Sequence, residues 1–127
     1  MIYQASCHCG AVKFEFEAPE KLEVDECNCS ICRKAGILHL ILPKKHFKLL
    51  SGETDLTNYQ FGTKIAKHTF CKHCGIEAFY TPRSNPDGIS VNARCLDTKP
   101  KAMKIVPFDG QNWEDNAHKL AHKSVDI

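Results

Sequence analysis

Seven of the eight cysteines fall into three tight clusters: Cys7-His8-Cys9-Gly10, Cys27-Asn28-Cys29-Ser30-Ile31-Cys32 and Cys71-Lys72-His73-Cys74-Gly75, with Cys95 standing alone. Thiolates at this spacing suit zinc, which takes about four soft ligands at about 2.3 Å. One C-x-x-C turn delivers two sulfurs from a few residues of backbone. A second pair, far away in sequence, completes a tetrahedron and ties distant segments together. A disulfide framework is the competing reading of an even cysteine count. The doublets and the triplet oppose it, because a C-x-C pair is too close for easy bridging geometry. Met1 to Ser6 shows no basic start followed by an apolar stretch, so no secretion signal is expected. A reducing cytoplasm would leave the thiols free for metal.

Seven clustered thiols exceed one tetrahedral site, and the simplest division gives two zinc ions per chain. Cys7 and Cys9 with Cys71 and Cys74 make a closed four-thiolate site, the structural type. Cys27, Cys29 and Cys32 form a local three-thiolate site. Three protein ligands and one open position are the arrangement of catalytic zinc, where water or an incoming thiolate can bind. The alternative is that this cluster also closes, with Cys95 or a histidine as fourth ligand. Otherwise Cys95 reads as a small buried hydrophobe. His8 and His73, inside the knuckles, are expected to face solvent or bond the backbone. His39, in an apolar run beyond the triplet, is a candidate for orienting a ligand of the second metal.

These clusters need positioning elements, and the pattern is mainly β. Val12, Phe14 and Phe16 alternate with Lys13, Glu15 and Glu17, as in a half-buried strand. Leu22 to Glu26 alternates again and runs into Cys27. Leu38 to Leu42 is a short apolar strand closed by Pro43. Phe47 to Leu50 and Leu56 to Phe61 flank a turn at Ser51-Gly52-Glu53. Ile65 to Phe70 enters the third cluster and Ile76 to Tyr80 leaves it. Thr81 to Gly88 is a loop rich in proline and turn formers. Ile89 to Ala93 reads as the last strand, Lys99 to Gly110 as irregular, and Trp113 to Lys123 as the one clear helix, capped by Asn112. The expected organisation is a zinc-binding domain over 1–110 and a helical tail over 111–127.

A chain of 127 residues with 43% hydrophobic content fits one domain with a modest core that metal would supplement. No apolar run approaches the roughly 20 residues of a membrane span. A net charge of +2 with scattered lysines gives no footing for strong nucleic-acid binding.

The three motifs, in this order, resemble the glutathione-dependent formaldehyde-activating enzyme family, also called the centromere protein V family, over roughly residues 3–98. Phe79-Tyr80-Thr81-Pro82-Arg83-Ser84-Asn85-Pro86 and Cys95-Leu96-Asp97 are similar to the centromere protein V branch in particular. The resemblance implies an Mss4-like fold of coiled β-sheets. It also implies Cys7, Cys9, Cys71 and Cys74 as structural zinc ligands, and Cys27, Cys29 and Cys32 on a second, catalytic zinc. The implied activity is condensation of glutathione with formaldehyde to S-hydroxymethylglutathione, a carbon–sulfur lyase reaction. Glutathione carries carboxylates, so Arg83, Asn85 and Arg94, on loops near the later strands, become candidate substrate-binding residues. Two other readings stand beside this one: a non-catalytic zinc-binding interaction module, and a glutathione carrier without turnover.

Overall fold

The computed structural model describes residues 1–124. The predicted alternation emerges as strands β2 (Lys13–Glu17) and β3 (Lys21–Cys27), preceded by β1 (Ile2–Ser6), which the sequence reading did not assign. They are followed by helix α1 (Ser30–Ala35), then β4 (His39–Pro43), β5 (Phe47–Ser51), β6 (Leu56–Tyr59) and β7 (His68–Cys71). The chain continues through β8 (Phe79–Tyr80), β9 (Gly88–Asn92), β10 (Ala102–Phe108) and the single-turn helix α2 (Trp113–Asn116). β1, β2 and β5 form an antiparallel sheet, β6 pairs with β7, and a five-stranded sheet runs in the order β10-β3-β4-β9-β8. The strands flanking Gly52 do not pair with each other. β5 joins β2 and β6 joins β7, which carries the third cysteine cluster.

The core lies between the first sheet and one face of the five-stranded sheet. Tyr3, Phe14 and Phe16 meet Val24, Leu40, Phe79 and Val91, all buried. Tyr3 stacks on Phe16 with ring centres 5.2 Å apart, and Phe14 meets Phe79 edge-on at 5.2 Å. β4 is buried along both faces, which is why its sequence is a continuous apolar run rather than an alternation. Leu40 and Leu42 point into this core. Ile41 points the other way, into a second small cluster with Phe108 and Leu120.

Three further elements differ from the sequence expectation. The stretch expected to be irregular contains β10, paired in parallel with β3 from Ala102 opposite Lys21 to Phe108 opposite Cys27. β10 is an edge strand, and Ala102 to Ile105 are exposed, so no buried face imprints an alternation on it. Pro107 is tolerated for the same reason. The triplet carries an unexpected helix. Cys29 caps α1 and Gly36, at φ 72°, ends it in the left-handed region. Third, the expected helix over Trp113 to Lys123 is one α-turn followed by 3-10 turns at Ala117–Lys119 and Ala121–Ser124. Its course follows tertiary bonds. Leu120 packs into the second cluster, while Asn85 takes the carbonyls of Leu120 and Ala121 at 2.9 and 3.1 Å. Lys123 closes on Asp25 at 2.7 Å. Residues 125–127 of the expected tail lie outside the described residues. Among the described residues no helix is long and apolar enough to cross a membrane.

Candidate metal centres and the adjoining cavity

The first centre joins the turn after β1 to the turn after β7. Gly10 and Gly75 occupy the left-handed region at φ 81° and 76°, so each chain reverses within the knuckle. The Gly10 amide bonds the Cys7 carbonyl at 3.1 Å and the Gly75 amide bonds the Cys71 carbonyl at 2.8 Å. These turns bring the sulfurs of Cys7, Cys9, Cys71 and Cys74 within 4.8 Å of one another. The Cys7–Cys9 and Cys9–Cys71 sulfur distances are both 3.6 Å. A tetrahedron of zinc–sulfur bonds has edges of about 3.8 Å, so the donor set and spacing fit zinc. Val12 donates to the Cys7 sulfur at 3.3 Å, and amide bonds from Cys9 and then Ile76 draw Cys74 down to about 6.

The second centre is held at the end of β3 and the first turn of α1. Cys27, Cys29 and Cys32 also converge within 4.8 Å, with Cys32 buried and the other two half-buried. Hydrogen bonds from the Cys27 and Cys32 thiols, helped by the amides of Cys32 and Ile31, hold Cys29 down to about 2. Cys27 and Cys32 move the opposite way, because each shares its proton with a neighbouring sulfur. Three convergent sulfurs are thus preassembled for a soft cation. No fourth ligand joins the triplet among the described residues. Cys95 lies toward the other centre, where burial and the charges of Cys7, Asp97 and Cys74 push it up to about 11.

The triplet opens on a cavity of about 450 Å³. Its floor is the outer face of the five-stranded sheet: Asp25 and Cys27 of β3, His39 and Ile41 of β4, Tyr80 of β8 and Phe108 of β10. Phe61, Arg83 and Trp113 complete the walls. A stacked ladder of rings runs inward: Tyr59 on Phe61 at 5.6 Å, Phe61 on His68 at 5.7 Å, and His68 on Tyr80 at 4.8 Å. Glu77 fixes His68 at 3.0 Å. A larger hollow of about 710 Å³, lined by Ser6, Cys7, His8 and Cys95, contains none of the triplet.

Of the three candidate substrate residues, Arg83 lines the triplet cavity. Its guanidinium lies 3.8 Å over the Trp113 ring and pairs with Glu114 at 2.8 Å, while its buried Nε has no partner among the described residues. Asn85 is 1% exposed, and its amide is engaged by Leu120, Ala121 and Ser124, so it supports the cavity wall from behind. Arg94 stands on the far side of the triplet, in a groove shared with Cys27, Cys32 and Arg33. His8 is exposed, and His73 bonds the Asp55 side chain at 2.8 Å.

Two residues of the site carried weak or no sequence signal. Gly110 lies so close to the triplet that a Cβ there would sit 2.2 Å from the Cys27 sulfur. A single glycine after an irregular stretch does not announce this. The loop is pinned by Asn28, which accepts from the Gln111 amide at 2.9 Å and donates to Asp109 at 3.2 Å. His39 stood out as a histidine in an apolar run, but its partners Tyr80 and Ser90 depend on the sheet register.

The chain is similar to known proteins in sequence and in fold. A family profile described as "Glutathione-dependent formaldehyde-activating enzyme" matches residues 2–113. A crystal structure of a Rhodobacter sphaeroides protein superposes with a TM-score of 0.69 at 35% identity, covering 81% of this chain and 99% of that one. A Halomonas elongata protein, provisionally named a glutathione-dependent formaldehyde-activating enzyme, is 50% identical over 36 residues. That match takes in 28% of this chain and 23% of the Halomonas protein's length.

Proposed function

The chain belongs to the glutathione-dependent formaldehyde-activating enzyme family, and on that premise we propose that it is a zinc-dependent carbon–sulfur lyase acting on thiol–aldehyde adducts. The reaction is condensation of glutathione with formaldehyde, or of a related thiol and aldehyde, and its reverse. One observation carries the reading: three convergent sulfurs, not four, stand at the floor of a cavity large enough for a small thiol. The quartet formed by Cys7, Cys9, Cys71 and Cys74 is a complete donor set and is the structural zinc site of the proposal. Cys27, Cys29 and Cys32 hold the second zinc.

In the condensation the thiol sulfur bonds the carbonyl carbon, and the thiol proton ends on the former carbonyl oxygen. No electrons are exchanged with a third party. A bound zinc at the triplet supplies stabilisation of a thiolate at neutral pH and polarisation of a carbonyl. The rest belongs to the chain. Phe61, Tyr80 and Trp113 keep the reacting groups away from bulk water. Arg83, held flat on Trp113, offers its unpartnered Nε to a carboxylate or amide of the thiol, and Asn85 acts on binding only through the wall it supports. Arg94 reaches the thiol only if the ligand extends around the triplet. The proposed setting is a reducing compartment, the cytoplasm, where the thiols stay available to metal.

The test is the rate of glutathione–formaldehyde exchange, measured by NMR with zinc-loaded protein. Acceleration above the spontaneous rate, lost in Cys29→Ser, is expected. Exchange that stays at the spontaneous rate with two zinc ions bound rejects the lyase reading.

A further inference from the structure

We propose that His39 presents its Nε2–H to the triplet cavity as a hydrogen-bond donor for the ligand's oxygen, the carbonyl of an aldehyde or the hydroxyl of a thiol–aldehyde adduct. This rests on the thiol–aldehyde reading of the same site and adds the group that recognises the oxygen.

The sheet register assembles the device. Ser90 of β9 lies opposite Tyr80 of β8 and opposite Ile41 of β4, which places His39 diagonally across from it on the same face. The His39 Nδ1 is 2.8 Å from the Tyr80 hydroxyl and 3.2 Å from Ser90 Oγ. The Ser90 hydroxyl also acts on the Tyr80 phenol, against the rise in its pKa that burial causes. His68, stacked on Tyr80, keeps that phenol in place. The His39 ring is 4% exposed, and its Nε2 is buried with no partner among the described residues. A buried polar atom left unpaired is costly, and one in a cavity wall is a place where a ligand supplies the partner.

Counting hydrogens selects the tautomer. If Nδ1 accepts from the Tyr80 hydroxyl and Ser90 donates to the Tyr80 oxygen, both buried hydroxyl protons are satisfied and Nε2 carries the imidazole proton. In the other tautomer Nδ1–H occupies one of the same contacts, and a hydroxyl proton inside the triangle loses its acceptor. Burial supports the neutral ring, since it holds the imidazole pKa down to about 4 against the opposite pull of Cys29. The Nε2 is not one of the convergent metal-ligating atoms. As a donor it faces the ligand and leaves the triplet's open position free. His39 and Cys29 line the same cavity, so an adduct whose sulfur sits at the triplet carries its oxygen toward His39.

Two measurements test this on zinc-loaded protein. The first is ¹⁵N NMR of the imidazoles. The expected result for His39 is a protonated Nε2 and a bare Nδ1, in the absence of any substrate. A protonated Nδ1 overturns the proposal. The second is calorimetric binding of S-hydroxymethylglutathione, maintained by excess formaldehyde, against S-methylglutathione. The native chain is expected to prefer the hydroxyl-bearing ligand by about 3- to 10-fold, the worth of one neutral hydrogen bond. His39→Phe should abolish the preference while keeping both zinc ions, and His39→Gln, which retains a donor, should keep part of it. A preference that survives in His39→Phe overturns the inference alone. A native chain that binds neither ligand overturns the thiol–aldehyde reading, and the inference with it.

Discussion

Replacing Gly110 by alanine tests the second centre from outside its ligand set. The Gly110 backbone is not in the left-handed region, so alanine carries no conformational penalty there and the effect is steric. Its Cβ would lie 2.2 Å from the Cys27 sulfur and 3.0 Å from the Cys29 Cβ. Ordinary carbon contacts begin at about 3.5 Å, so the sulfur must retreat by roughly 1.3 Å. Neither side yields easily. Asn28 ties the Gly110 loop to the triplet loop from both directions, and the Asn28 amide bonds the Phe108 carbonyl at 3.2 Å. Zinc–ligand distances tolerate only about 0.2 Å. Overpacking of this kind costs about 1–3 kcal/mol, which converts to a weakening of the second zinc by about 5- to 150-fold. Zinc release to a chromophoric chelator should therefore show one site at native affinity and one weakened, with circular dichroism unchanged. Gly88→Ala is the control. Its Cβ meets Ser124 at 2.5 Å and Leu42 O at 2.9 Å, far from either sulfur group, so it should lower the melting temperature without touching zinc affinity. Two zinc ions held at native affinity in Gly110→Ala would refute the steric reasoning.

Cys74→Ser removes one sulfur from the centre that joins β1 to β7, and folding is coupled to that metal, so a loss of global stability together with one zinc is expected. Thermal melts and metal analysis decide it, and an unchanged melting temperature contradicts the structural role. Cys29→Ser should release the other zinc while the core sheets persist, because its ligands come from one short stretch of chain, the end of β3 and the start of α1. Cys95→Ala should keep both zinc ions, since Cys95 lies outside the triplet. Loss of a zinc in Cys95→Ala would reassign that cysteine as a ligand. The fold holds the His39 imidazole at about 4, below its ordinary 6.5, so the native state resists protonation and the unfolded chain accepts it. The resulting stability is present in full above the unfolded value and is lost as pH falls through the folded one. Between about pH 7 and about pH 5 this amounts to about 2 kcal/mol. Urea titrations in excess zinc should show His39→Gln losing correspondingly less stability over that interval, and parallel losses in the two proteins would contradict it.

What the sequence made legible, and what it did not, follows from where the information resides. The alternation of Val12, Phe14 and Phe16 is local, and it matches the buried Phe14 and Phe16 of β2 and the buried Val12 just before it. The sulfur groups were legible because zinc demands a fixed ligand chemistry at short spacing, whatever surrounds it. β10 was not legible. Its partner β3 begins 81 positions away, the parallel pairing is carried by the backbone, and an exposed edge leaves no periodicity to read. The same reasoning explains Gly110 and His39. Each acts through a neighbour that only the sheet register brings near: Cys27 across the end of β10 in one case, Tyr80 and Ser90 across β8 and β9 in the other. Thus the candidate metal ligands are written in the chain as a motif, whereas the groups that shape the cavity are written as strand pairings. A relative could keep all seven clustered cysteines and lose the proposed donor of the cavity by a single change at position 39. The sulfur motifs therefore report the donor set that a metal would meet in such a chain, and the proposed selection of an oxygen-bearing ligand resides in the outer face of the five-stranded sheet.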